Sequence, residues 1–134
     1  MKGCIFCQII NGDLPCYKIF EDDHTLAFLD IGKEADGHTI VIPKTHIVNI
    51  LDCDDETLGH VMSAVKRISN HYVDHCGYTA VNLLNASGTD AEQSVPHLHF
   101  HIIPRKKDDG IHAWPDLKER ENTLDDMYRL LKIQ

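Results

Sequence analysis

Residues 97–101 read His97-Leu98-His99-Phe100-His101, followed by Ile102-Ile103-Pro104-Arg105. Polar and apolar residues alternate with a period of two. A strand places i, i+2 and i+4 on one face, whereas a helix distributes them around its axis. The stretch is therefore read as a strand with His97, His99 and His101 on one side and Leu98, Phe100 and Ile102 turned into a core. A row of imidazoles is costly to bury without a purpose, and near neutral pH imidazole is a nucleophile, a proton shuttle and a metal ligand. Three readings fit the row. The rings are partly exposed and idle, two of them bind zinc with a third ligand elsewhere, or one attacks phosphorus and forms a phosphoramidate that water then hydrolyses.

The remaining pattern predicts an α+β domain with a largely antiparallel sheet. Cys4 to Asn11 reads as a short helix stopped at Asn11-Gly12. Strands are expected at 17–21 and 25–29 around the polar turn Asp22-Asp23-His24, at 38–42 before Pro43, and at 79–84. Leu58, Val61, Met62, Val65, Ile68 and Tyr72 keep helical spacing behind Asp54, Asp55 and Glu56, which predicts one long helix packed on the sheet. A late helix is expected from about Leu124 to Leu131. With 134 residues and 43% hydrophobic content, one domain over 1–134 is expected, with a C-terminal tail from about 106.

Bulk properties narrow the function classes. No apolar run approaches the roughly 20 residues that cross a bilayer, and the start lacks the pattern of a secretory signal. Five cysteines is an odd number, which argues against a disulfide framework and for a reducing cytoplasm. A formal charge of −8 disfavours nucleic-acid and membrane binding. A local anion site remains open, because backbone N–H groups and histidines can build one. The loop from Asn85 to Pro96 has the small residues, hydroxyl and amide that wrap a phosphate, and it runs directly into the histidines. Cys4-x-x-Cys7 reads as a redox pair, a zinc half-site or two packed cysteines.

The string His97-Leu98-His99-Phe100-His101-Ile102-Ile103 resembles the signature of the histidine triad (HIT) family. Cys4–Ile10, Leu26–Ile31, Gly37–His46 and Gln93-Ser94-Val95 resemble further family blocks in the family's order, so the likeness runs from Cys4 to about Arg105. It points to the small branch of nucleotide hydrolases acting on phosphoramidates. The resemblance implies a HIT-like fold: about five strands, one long helix and a short N-terminal helix. It implies hydrolysis of nucleoside 5′-phosphoramidates or related nucleotidyl conjugates, with a purine nucleotide expected, by a homodimer. His99 is the implied nucleophile, His101 its phosphate-side helper, and Ser94 the serine near the leaving group. Gln93 and Val95 line the phosphate pocket, Asn85 stands near it, and Asp30 holds the ribose hydroxyls. Ile5, Phe6, Ile9, Phe28 and Ile31 sandwich the base; as bare apolar residues they read equally well as core. Glu92 departs from the glycine usual before Gln-Ser, with consequences expected for loop shape or phosphate binding. Bacterial relatives also imply a structural zinc on Cys4, Cys7, His46 and His97. The segment around Trp114-Pro115 resembles a tail that shapes the site across a dimer, or else anchors the tail.

The rival functions are a metallo-hydrolase using the triad as a catalytic zinc site, a dinucleoside polyphosphate hydrolase, and a nucleotide-binding adaptor with incidental catalysis. No carboxylate close to the triad in sequence offers the general base that the metallo-hydrolase wants.

Overall fold

The computed structural model describes residues 3–134. In chain order the elements are α1 (Ile5–Ile10), β1 (Lys18–Glu21), β2 (Thr25–Leu29), β3 (Thr39–Pro43), α2 (Asp55–His75), β4 (Ala80–Leu84), β5 (Phe100–Arg105) and α3 (Leu124–Leu131). The strands form one antiparallel sheet in the order β1-β2-β3-β5-β4.

Alternation along the strands supplies two packed faces. Ala27, Val41, Leu98, Phe100 and Ile102 meet Val61, Ala64, Val65, Ile68 and Tyr72 of α2. The α2 residues recur at three- and four-residue spacing, so they form one stripe. Asp54 caps this helix by accepting the Thr57 N–H at 3.1 Å. Leu26, Phe28, Ile40 and Ile42 point to the other face, where they pack with Cys4, Phe6 and Cys7 of the α1 segment. Both central strands β2 and β3 are thus buried on two sides, which explains their nearly continuous apolar sequence. The hydroxyl of Thr39, buried among them, meets Tyr72 at 2.6 Å and the Gly37 carbonyl at 2.8 Å.

The hydrogen-bonded part of the histidine strand is shorter than expected. It begins at Phe100, so His97 and His99 lie in the extended approach to β5. Their backbone is used elsewhere: the Leu98 N–H donates to the Ile47 carbonyl at 2.7 Å, and the carbonyls of His97 and His99 accept side-chain donors. The alternation survives, since Leu98 and Ile102 are fully buried on the α2 side.

Gly37 is required by its surroundings. Its φ is +77°, and a Cβ there would come within 2.9 Å of the Pro104 ring. The expected α3 is present, with Thr123 accepting the Asp126 N–H at 3.1 Å. Its apolar residues Leu124, Tyr128 and Leu131 are exposed, as is Trp114 at 77%, so Trp114 does not anchor the tail within this chain. Among the described residues no helix is long and apolar enough to cross a membrane.

Candidate functional site

A cleft of about 480 Å³ opens on the α1 side of the sheet. Ile5, Phe6 and Ile9 of α1, Leu14, Pro15 and Cys16 behind it, and Phe28, Leu29, Ile31 and Ile40 form its apolar walls. Its polar lining is Asp30, Ser94, His99 and His101, with Val95 between. An apolar cleft with a few convergent polar groups is the ordinary form of a small-molecule site. A wider hollow of about 630 Å³, lined by residues 119–123 on the tail, holds none of these groups.

Hydrogen bonds divide the labour of the histidines. A carbonyl oxygen only accepts, so a ring nitrogen bonded to one carries the proton. His99 Nδ1 donates to the His97 carbonyl at 2.8 Å, which leaves the lone pair on Nε2 of a ring lining the cleft. His97 has the opposite tautomer: Nε2 donates to the Pro43 carbonyl at 2.9 Å, and the Nδ1 lone pair faces the cysteine sulfurs. Burial lowers the pKa of both rings, which favours neutral imidazoles.

His101 forms a third arrangement. Its Nδ1 lies 2.7 Å from Nε2 of His38, whose own Nδ1 is 3.7 Å from Asp30 Oδ2. The carboxylate favours a proton on the facing nitrogen, so His38 Nε2 accepts from His101 and the His101 Nε2 lone pair is free. His38 was not singled out from the sequence. Its signal was parity: His38 and Ile40 share a strand face, and Ile40 pairs with His101. Burial first, then the neighbouring His99 and His38, lower the pKa of His101 to about 4. The unfolded ring titrates near 6.5 and binds a proton that the folded ring refuses. Stability is therefore intact above about pH 6.5 and lost as pH falls toward 4. In metal-free protein the expected loss from this ring is about 1.5 kcal/mol, allowing for partial solvent screening, and urea midpoints at pH 7.5 and 4.5 in wild type and His101→Asn measure it.

Two expected lining residues stand outside the cleft. The Asn85 side chain donates to the His99 carbonyl at 2.9 Å, so it holds the backbone of the histidine segment. Gln93 accepts the Gly88 N–H at 2.8 Å and donates to the carbonyls of Val48 and Val95 at 2.7 and 2.9 Å, bracing the loop. Glu92 has φ +69° and ψ 30°, a left-handed conformation that glycine adopts without the roughly 1–2 kcal/mol penalty of other residues. Leu14, Pro15, Cys16, Leu29 and Ile40 line the cleft without having been singled out. Only Ile40, through strand parity, carried a sequence signal.

Beside the cleft lies a four-donor cluster. Cys4 Sγ is 3.4 Å from His97 Nδ1, and Cys7 Sγ is 3.3 Å from His46 Nδ1 and 3.6 Å from His97 Nδ1. All four donor atoms lie within 4.8 Å of one another. Tetrahedral zinc with Zn–S of about 2.3 Å and Zn–N of about 2.0–2.1 Å has S···N edges of about 3.5 Å. The donors fit that ion in type, number and spacing, and the Pro43 carbonyl supplies the usual outer partner of a ligating imidazole. Burial and the neighbouring Cys4 push the Cys7 thiol pKa up, a cost that a cation reverses by binding the thiolate.

An antiparallel sheet presenting such a row of imidazoles to an apolar cleft defines a histidine-triad fold. The chain belongs to the HIT family: the HIT domain family model matches residues 11–108. A crystal structure of a HIT-family member from Bacillus subtilis has a TM-score of 0.83 at 42% identity, covering 96% of this chain and 92% of that one. Adenosine 5′-monophosphoramidase hnt1 of Schizosaccharomyces pombe is 39% identical over 116 residues, 84% of each chain. A Zn-bound histidine triad family protein of Mycobacterium smegmatis has a TM-score of 0.78 at 35% identity, covering 87% of this chain and 84% of that one. The family and fold read from the triad and its flanking blocks are borne out.

Proposed function

We propose that the protein is a HIT-type hydrolase that cleaves nucleoside 5′-phosphoramidates or related nucleotidyl conjugates through a covalent nucleotidyl-His99 intermediate. The observation that carries this reading is the His99 tautomer. Its Nδ1 proton is engaged by the His97 carbonyl at 2.8 Å, so Nε2 is the nucleophilic atom in the cleft. The phosphoramidase name of the yeast relative agrees with it.

The walls divide as the family resemblance implies. Ile5, Phe6, Ile9, Phe28 and Ile31 hold the base, preferably a purine, and Asp30 takes the ribose hydroxyls. His99 Nε2 bonds to phosphorus as the P–N bond breaks, and the departing nitrogen keeps the bonding pair and takes a proton. The Ser94 hydroxyl relays that proton from water. Hydroxide from the same water then displaces His99 and releases the nucleoside monophosphate. His101, braced by His38, flanks the phosphoryl group and stabilises its oxygens once Nε2 takes up a proton and the ring becomes an imidazolium. Cys4, Cys7, His46 and His97 hold a structural zinc, which neutralises the thiolates and ties α1 to the histidine segment. With all four donors supplied by protein, a zinc held there would serve the fold. The exposed apolar residues of α3 and Trp114 support a homodimer, and the free cysteines a reducing cytoplasm.

The test is release of AMP from adenosine 5′-phosphoramidate, followed by chromatography beside a diadenosine polyphosphate. Faster release from the phosphoramidate is expected. Faster release from the polyphosphate makes the chain a dinucleoside polyphosphate hydrolase, and tight AMP binding without turnover of either makes it an adaptor.

A further inference from the structure

The cleft ends at His101, and a second cavity begins there. Its volume is about 460 Å³, and His38, His101, Leu84, Ile103, Glu34 and tail residues Ile111 and His112 contribute to its walls. The strand order explains why the two cavities share a ring. β5 lies between β3 and β4, and His101 pairs with Ile40 on one side and with Leu84 on the other. Directly paired residues of antiparallel strands put their side chains on one face. Ile40 lines the first cleft and Leu84 the second, so one sheet face carries the apolar cleft, then the reacting histidines, then the second cavity.

The outer wall is fixed in place. Arg105 Nε and Nη2 each donate to an Asp109 carboxylate oxygen at 2.9 Å, and Nη1 donates to Asn82 Oδ1 at 2.7 Å. Arg105 also donates to the Ile111 carbonyl, and Asp109 accepts the Ile111 N–H at 3.0 Å. The tail is thereby tied to β4 and β5 where it walls the cavity. Among the described residues Glu34 is the single carboxylate of the lining, His112 and the shared pair His38 and His101 are its imidazoles, and neither lysine nor arginine contributes. A leaving group with a negative charge meets a carboxylate there without a compensating cation, whereas a positively charged one finds its complement.

We propose that this cavity receives the leaving group of the nucleotidyl substrate, and that Glu34 selects leaving amines carrying a second positive charge. The proposal rests on the phosphoramidase reading and names its substrate class: nucleoside 5′-phosphoramidates of diamines and other basic amines. The bond changes are those already given. The P–N bond breaks, its electron pair stays on nitrogen, and the protonated amine departs through this cavity with its distal ammonium facing Glu34.

Three adenosine phosphoramidates of matched length test it, made from 1,3-diaminopropane, n-butylamine and β-alanine. Each kcat/KM is divided by that of the unsubstituted phosphoramidate. Wild type is expected to favour the ammonium-bearing over the carboxylate-bearing leaving group by about tenfold, the size set by a partly exposed charge acting on both. Glu34→Gln should reduce that ratio to about twofold, and Glu34→Lys should invert it. Glu34 lies on an exposed loop, so both variants are expected to fold. An unchanged ratio in Glu34→Gln, or a wild-type preference for the carboxylate, overturns the proposal while leaving the phosphoramidase reading standing. Absence of turnover on every phosphoramidate overturns that reading and this proposal with it.

Discussion

Replacing His99 with alanine is expected to lower kcat for adenosine 5′-phosphoramidate by about 10⁴-fold or more. The size follows from the covalent route: without the His99 Nε2 there is no first bond to phosphorus. The family resemblance sets His101, whose Nδ1 is bonded to His38 at 2.7 Å, on the stabilising side of the phosphate rather than at the attacking position. The base walls and Asp30 are untouched by the change, so AMP affinity should stay within about threefold, a pattern that separates lost chemistry from lost binding. Mass spectrometry under alkaline quench should find one nucleotidyl adduct on the wild-type His99 peptide and none on the variant. Full turnover by His99→Ala, or an adduct mapped to His101, would falsify the mechanism.

Loss of the metal is expected to act on the fold and to spare the chemistry. Cys4 and Cys7 come from the start of the chain, His46 from the segment after β3, and His97 from the approach to β5. One zinc there would close long loops between parts of the chain that otherwise meet by packing and by the bonds of Leu98 to Ile47 and of His97 to Pro43. Structural zinc is worth about 10–16 kcal/mol in peptides that fold only around it. Here the two apolar clusters fold most of the chain, and a smaller share of about 3–4 kcal/mol is expected, or roughly 10–15 °C in Tm for a domain of this length. His46→Ala is the cleanest variant, because it leaves the Cys4 cap of α1 and the His97 bond to Pro43 intact. Metal analysis should find one zinc per wild-type chain and none in the variant. Below its lowered Tm the variant should still turn over phosphoramidate. Abolished turnover in a zinc-free chain that remains folded would instead establish a catalytic metal, and an unchanged Tm would remove the structural role.

These expectations draw on sequence and structure unequally. The elements were legible where local physics decides them. α2 was visible from its apolar stripe and acidic start, and α3 lies at Leu124–Leu131 as expected because Thr123 caps it and little else competes. The histidine segment was legible in its alternation and less so in its ladder, since the backbone bonds of 97–99 go to Ile47 and Val95 and to the side chains of Asn85 and His99. Asn85 and Gln93 looked like ligand contacts because a polar loop residue has the same composition whether it faces a ligand or its own backbone. His38 stayed unassigned because its partners, His101 and Asp30, become neighbours only through the β2-β3-β5 register.

By itself the sequence determined the donors and their periodicity: three imidazoles on one face, two cysteines one helical turn apart, and an apolar set to surround them. Only the tertiary structure decided which imidazole does what. A histidine's role depends on which nitrogen holds the proton, and that is set by the acceptor each ring meets. For His97 the acceptor is the carbonyl of Pro43, brought beside it by the fold, and for His99 it is the carbonyl of His97. Residues of identical chemistry two positions apart thereby acquire opposite tautomers, one directed at the sulfurs and the other into the cleft.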